Sequence, residues 1–296
     1  MTGQIVLVNF ADAKFKRTQA FQGRCAKLLG FEEIYAYSEL DLDPDFISKH
    51  QKTFSEKRGF GYWLWKPWII LEVCKRVNQD ATILYLDSAV IPKIRATSFM
   101  EQARDSLIHV WAEDTLSTNR NYIDPEVWDS LSNSEISKDS IHYWAGAILS
   151  RNTSSFQNFL QEWLRLCSEP QLLHPTTDTL RDTDYLYIGH RHDQALMNLL
   201  ILEQPTIFNL HFKIDDLAPN FFIIHRSNKV VNNLKLTLYQ TEKRTYRYIL
   251  KLLPEFLRFH LFSVVTRRRR PATTKIEVQR AYKHFNTLLA NSRKSR

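Results

Sequence analysis

Arg58-Gly59-Phe60-Gly61-Tyr62-Trp63-Leu64-Trp65-Lys66-Pro67-Trp68 is the stretch from which the rest of the chain is read. It holds three of the seven tryptophans and two of only seven glycines. Two glycines one residue apart let the backbone turn sharply and approach a ligand closely. The aromatic rings can stack on a flat ring, and Lys66 can meet an anion. Pro67 suits the first position of a helix, which Trp68-Ile69-Ile70-Leu71-Glu72-Val73-Cys74 continues. Ala81-Thr82-Ile83-Leu84-Tyr85-Leu86-Asp87 then reads as a buried strand ending on a carboxylate. Core packing explains an aromatic cluster by itself. It does not explain Gly-x-Gly, a lysine and a strand-end aspartate together. In open α/β sheets ligands bind beyond the carboxyl ends of strands, where Asp87 falls.

Upstream, Ile5-Val6-Leu7-Val8-Asn9-Phe10 reads as a first buried strand. A helix is predicted over 15–29, with Phe15, Ala20, Phe21, Leu28 and Leu29 toward one face and Gly30 as its stop. Glu33–Tyr37 reads as a second strand, and a short helix is expected from Asp43-Pro44-Asp45 to near Arg58. Strand and helix thus alternate over the first 90 residues, the pattern of a Rossmann-type, mostly parallel sheet flanked by helices. Downstream, strands are expected at 106–111, 144–149, 206–209 and 221–226. Phe156, Phe159, Leu160, Trp163 and Leu166 mark an amphipathic helix of purely structural character. His190-Arg191-His192-Asp193-Gln194 is a polar run opening an apolar helix. Asp193 there reads either as a simple N-cap or as a functional acid. No role is legible for residues 112–142.

A chain of 296 residues with 44% hydrophobic content supports a sizeable core. Cys25, Cys74 and Cys167 are odd in number and far apart, which fits a reducing compartment. Met1-Thr2-Gly3-Gln4 leads straight into a strand with no targeting pattern, so a cytoplasmic location is expected. No apolar run approaches the roughly 20 residues needed to span a bilayer. Charge is uneven. From Lys243 to Arg296 there are 15 Lys and Arg against 2 Asp and Glu, leaving the first 242 residues at −5. The expected organisation is a body at 1–242 and a basic amphipathic helical tail at 243–296. Such a tail suits an anionic membrane surface, here the inner face, or packing on the body. Nucleic acid is not an expected partner, because the body is acidic and its aromatics do not alternate with bases.

Gly-Phe-Gly-Tyr-Trp-Leu-Trp-Lys-Pro, Leu-Tyr-Leu-Asp-Ser-Ala and His-Arg-His-Asp-Gln, in that order, resemble bacterial nucleotide-sugar glycosyltransferases of the A-type (GT-A) fold. More distantly the order is similar to the glycogenin-like group. The resemblance covers about residues 4–230 and excludes the tail. It implies transfer of a sugar, from a UDP-sugar above all, to a glycan or lipid-linked acceptor in surface polysaccharide synthesis. It implies catalytic roles at the transferred sugar for Asp193 and Gln194. Phe10 and Ala11 are implied as contacts of the nucleotide base and Lys66 of the diphosphate. Gly59, Gly61, Tyr62, Trp65, Ser88, Gly146, His190, Arg191 and His192 complete the candidate substrate-binding set. Asp87 and His225 are the implied metal ligands. The family's Asp-x-Asp reads Asp87-Ser88-Ala89 here, without the second carboxylate. Mn²⁺ and Mg²⁺ want several oxygen ligands, so weak or absent metal dependence is expected. The competing reading is a non-catalytic nucleotide-sugar or glycan-binding module.

Overall fold

The computed structural model describes residues 3–112, 117–132, 138–175, 186–212 and 222–224. Its centre is a six-stranded sheet in the order β2-β1-β3-β6-β5-β7. The strands are β1 (Ile5–Phe10), β2 (Glu33–Tyr37), β3 (Thr82–Leu86), β5 (Ile108–Ala112), β6 (Tyr143–Arg151) and β7 (Phe208–Phe212). β1 pairs in parallel with β2 and β3, and β5 with β7. β6 lies between β3 and β5 and is antiparallel to both. The expected α/β sheet with flanking helices is the one observed, with this one reversed strand. A small second sheet pairs β4 (Val90–Pro92) with β8 (Phe222–Ile224).

Every residue of β1 and β3 is buried, as a parallel strand covered on both faces requires. Side chains alternate between two cores with the period-2 geometry of a strand. Val6, Val8, Ile83 and Tyr85 enter one core, with the helices Trp65–Cys74, Ser154–Cys167 and Asp193–Glu203. Ile5, Leu7, Leu84 and Leu86 enter the other, against Ala26 and Phe99. The apolar stripe of Ser154–Cys167 is buried as read from its spacing.

Two expectations are corrected. The helix Lys16–Leu28 buries Gln19, Gln22, Cys25 and Ala26, while Leu28 is 49% exposed. Its inner face is polar because it meets backbone carbonyls that need donors. Gln22 Nε2 donates to the carbonyls of Asp87 (2.9 Å) and Val90, and Gln19 Nε2 to Asn9 Oδ1 (2.7 Å) and Tyr37 O (2.8 Å). The second correction concerns the helix after the glycine pair. It starts at Trp65, not Pro67, and runs to Cys74. Pro67 still lies in the first turn, where its missing N–H has no intrahelical partner to lose. The earlier start puts Lys66 on the inward face, and Lys66 is 3% exposed.

Candidate active site

The turn that delivers Lys66 is left-handed. Gly59, Phe60, Gly61, Tyr62 and Trp63 have φ of 61°, 48°, 77°, 54° and 63°. For residues with a Cβ this conformation costs about 1–2 kcal/mol each, so Phe60, Tyr62 and Trp63 store about 3–6 kcal/mol. Packing offsets it. The Trp65 ring stacks on Phe10 at 3.9 Å, and its Nε1 donates to Gly59 O at 2.9 Å. A Cβ on Gly59 would lie 2.4 Å from the Trp63 ring, so the backbone and the contact both demand glycine there.

The Lys66 ammonium sits among two carboxylates and a carbonyl. It is 2.7 Å from Asp193 Oδ2 and 3.7 Å from Asp87 Oδ1, and it donates to Ala145 O at 3.2 Å. Tyr85 OH donates to Asp87 Oδ1 at 2.7 Å, and the Lys66 ammonium lies 5.5 Å from the centre of the Tyr85 ring. The side chains of Lys66 and Asp193 are each 4% exposed, whereas that of Asp87 is 31% exposed. Burial pushes the Asp193 carboxyl up to about 6 against the downward pull of Lys66. Burial also pulls Lys66 down, but Asp193 and Asp87 reverse this and its pKa is raised. At neutral pH the cluster therefore holds one cation between two anions.

Each member is held by backbone geometry. Asp87 follows β3, and its N–H donates to Gly146 O at 2.9 Å. Gly146 is required by packing, since a Cβ there would lie 2.1 Å from the Trp144 ring. Asp193 is the first residue of its helix, one past the N-cap position held by His192, and its carboxylate accepts a hydrogen bond from the Gln194 backbone. The same carboxylate also makes the ion pair with Lys66. Trp163 Nε1 donates to Asp193 O at 2.8 Å. Asn198 Nδ2 donates to Tyr143 O and Gln194 O (both 2.8 Å), tying the helix to β6.

The polar run before Asp193 alternates. His190 and His192 are buried, and Arg191 is exposed with its guanidinium 4.3 Å from the centre of the Tyr122 ring. Asp124 N–H donates to His190 Nδ1 at 3.1 Å. His192 has φ of 50°, and its Nδ1 donates to Leu173 O at 2.9 Å. That bond fixes the tautomer and leaves His192 Nε2 a bare acceptor. It has no hydrogen-bond partner among the described residues. Tyr62, His174 and His192 form a triangle of rings with centroids 4.2, 4.5 and 5.6 Å apart. Burial lowers His190 to about 3 and His192 to about 4, and lowers His142, another buried imidazole, to about 3.

The structure brings together Lys66, Asp87, Asp193 and, through His192, Tyr62. Gln194, next to Asp193, is partly exposed. Lys66 departs from its expected place at a diphosphate, being enclosed by its two carboxylates. Phe10 (5% exposed), Ala11 (4%) and Trp65 (4%) also depart from the expected open contact surface. Phe10 spends its ring on Trp65, and Ala11 N–H donates to Tyr37 O at 3.0 Å. Ser88 and Gly146 are buried as well. His225 and the tail, residues 243–296, lie outside the described residues. The sequence reading missed Tyr85, Gln22 and Trp163. Tyr85 carried one signal, its i−2 spacing from Asp87, which puts both on one face of an extended chain.

Of the two implied metal ligands only Asp87 lies among the described residues. Asp87 is already engaged by a phenol and an ammonium. Among the described residues no group of three His, Cys, Asp or Glu side chains could hold a metal ion. Nor is any helix among them long and apolar enough to cross a membrane.

No family model matches the chain. No curated protein matches it either. Solved structures do, at a distance. A glycosyltransferase involved in glycosylation of the major capsid of PBCV-1 shares 11% identity at a TM-score of 0.42, covering 78% of this chain and 99% of that one. Mouse xyloside xylosyltransferase 1 shares 14% identity at 0.39, covering 70% and 84%. The galactosyltransferase LgtC, solved with donor and acceptor sugar analogs, shares 11% identity at 0.39, covering 70% and 72%.

Proposed function

We propose that this chain is a glycosyltransferase of the GT-A type, moving a sugar from a nucleotide-sugar donor, a UDP-sugar, to a glycan or lipid-linked acceptor in surface polysaccharide synthesis. The observation that carries the reading is the buried Asp87–Lys66–Asp193 cluster beyond the end of β3. Sugar transfer develops positive charge at the anomeric carbon and negative charge on the leaving diphosphate. Fixed charges in a dry site stabilise such a separation without reorganising. In this reading Asp193, with Gln194 beside it, serves the anomeric side. Lys66 keeps Asp193 ionised and oriented. Asp87, the more exposed acid, and Arg191 border the donor. No step in this reading is routed through a metal.

The basic tail adds a location. Bases near an anionic leaflet contribute about 1 kcal/mol each, and Leu and Phe interleave with them from Tyr246 to Phe262. In this reading the tail holds the enzyme peripherally at the inner face of a membrane, near a lipid-linked acceptor. Co-sedimentation of full-length and 1–242 proteins with anionic vesicles tests it, equal sedimentation counting against it.

The direct test of activity is a panel of sugar nucleotides, read by thermal stabilisation and by donor hydrolysis. One UDP-sugar is expected to raise the melting temperature and to be hydrolysed slowly, and Asp193→Asn to abolish the hydrolysis. Stabilisation by a UDP-sugar with no turnover would favour the non-catalytic binding module. No stabilisation by any nucleotide would remove both readings.

A further inference from the structure

An open cleft of about 450 Å³ lies beside Tyr62, walled by Thr53, Glu56, Glu126, Gln171 and His174. The volume is within the range of small-molecule sites, about 300–1,000 Å³. Its walls come from four separate segments: the helix Gln51–Phe54 with Glu56 after it, the left-handed turn, the helix Pro125–Leu131, and the helix Pro170–Leu173 with His174 after it. None of these residues belongs to the Lys66 cluster.

We propose that this cleft binds a saccharide ring, neutral or amino-substituted, as the acceptor of the transfer; the acceptor role rests on the glycosyltransferase reading above. Three features select that chemistry. His174 is exposed and nearly parallel to Tyr62, at 4.2 Å and 18°. Tyr62 is covered by His174 and His192, so the exposed His174 ring is the one that suits the apolar C–H face of a sugar, with its polar tip at the rim. Around them stand two carboxylates (Glu56 and Glu126), the Gln171 amide and the Thr53 hydroxyl. Carboxylates accept strong hydrogen bonds from hydroxyl or ammonium donors. The third feature is charge. Lys52 is the one lysine or arginine among the lining residues, against the two glutamates Glu56 and Glu126, a formal balance of −1. That charge selects against a phosphate or diphosphate, and so separates the cleft from the leaving-group side of the reaction.

The cleft is also coupled to the acid. Tyr62, at its wall, stacks at 4.5 Å on His192, the residue before Asp193. His192 is 3% exposed, and its unpartnered Nε2 lies in the same ring triangle.

The test is saturation-transfer NMR on the full chain at about 10 mM ligand, well above a dissociation constant of about 1 mM (−4.1 kcal/mol). The probes are the methyl β-glycosides of glucose, galactose and glucosamine, with methyl β-glucuronide as the anionic control. At least one of the first three is expected to bind, and the glucuronide to bind about tenfold more weakly, which is about 1.4 kcal/mol. Glu126→Lys and Gln171→Ala change exposed residues and are expected to weaken binding about tenfold each. Stabilisation by the UDP-sugar should survive both. No signal from any glycoside, binding unchanged in both variants, or preference for the glucuronide overturns the proposal. If the glycosides bind and the variants lose them while no UDP-sugar stabilises the protein, the saccharide site stands and its acceptor assignment falls.

Discussion

Replacing Lys66 by Met tests the centre of the molecule. The ammonium is 4% exposed and lies 2.7 Å from an equally buried carboxylate. Met keeps much of the volume and removes the charge. Asp193 is then left in a dry site with Asp87, a like charge, as its neighbour. Removing one partner of a buried pair costs about 3–5 kcal/mol, a large share of the about 5–15 kcal/mol that holds a domain folded. With a urea slope of about 3 kcal/mol/M, the midpoint should fall by about 1–1.7 M at pH 8. The loss must also depend on pH. The Asp193 carboxyl is already held up to about 6 by burial. Without the Lys66 charge it rises further and becomes neutral, so less is lost at pH 5.5 than at pH 8. Asp193→Asn in the Lys66→Met background should recover about 2 kcal/mol, because a neutral amide costs less to bury than a lone carboxylate. Urea unfolding of the single and double variants at both pH values checks all three statements. An unchanged midpoint at pH 8, or a loss independent of pH, would refute the ion-cluster description.

Other outcomes follow from the same geometry. His142, His190 and His192 have folded-state pKa values lowered to about 3, 3 and 4 by burial. Their contribution is complete above pH 6.5 and is lost as the pH falls toward those values, at about 1.4 kcal/mol per unit each. Asp193, raised to about 6, opposes this with about 1.4 kcal/mol per unit gained as the pH falls from 6 toward 4. The net loss is about 3 kcal/mol per unit, so the melting temperature should drop steeply between pH 6 and 4; a flat profile there would contradict the neutral, buried imidazoles. Gly59→Ala should cost at least the about 1–2 kcal/mol of left-handed strain and more from the Trp63 contact, read as a lowered urea midpoint. Activity with the cognate donor should persist in EDTA, and its full loss with recovery on Mn²⁺ would show that a metal completes the site.

Much of this was legible beforehand, for identifiable reasons. Continuous apolar runs such as Ile5–Val8 and Ile83–Leu86 could only be strands buried on both faces. The resemblance named Lys66, Asp87 and Asp193 as site residues, and the three lie together in the fold. What was not legible depends on inward direction. Lys66 read as a free cation because its helix was placed two residues late, and a helix rotates about 100° per residue. Gln19 and Gln22 carry no apolar signal, yet they satisfy carbonyls that only the folded chain brings near. Asp193 read equally well as a cap, since a carboxylate at a helix start has the same spacing whether it turns back to the backbone or inward to a lysine.

The reversed strand has a consequence for synthesis. β6 separates β3 from β5, although the ribosome makes it after both. Until Tyr143–Arg151 emerges, β3 lacks its neighbour on that side and β5 has neither of its own. The carbonyls of Ala145 and Gly146, which receive Lys66 and the Asp87 backbone, arrive with the same strand. Asp193 follows later still. A nascent chain halted before residue 143 can therefore build the β2-β1-β3 corner but not the charged cluster. The site is completed late, after β6 has added to the free edge of β3 and the helix Asp193–Glu203 has followed. A truncation series on stalled ribosomes should show protease resistance spreading inward from the amino-terminal corner, with the Lys66 region protected last.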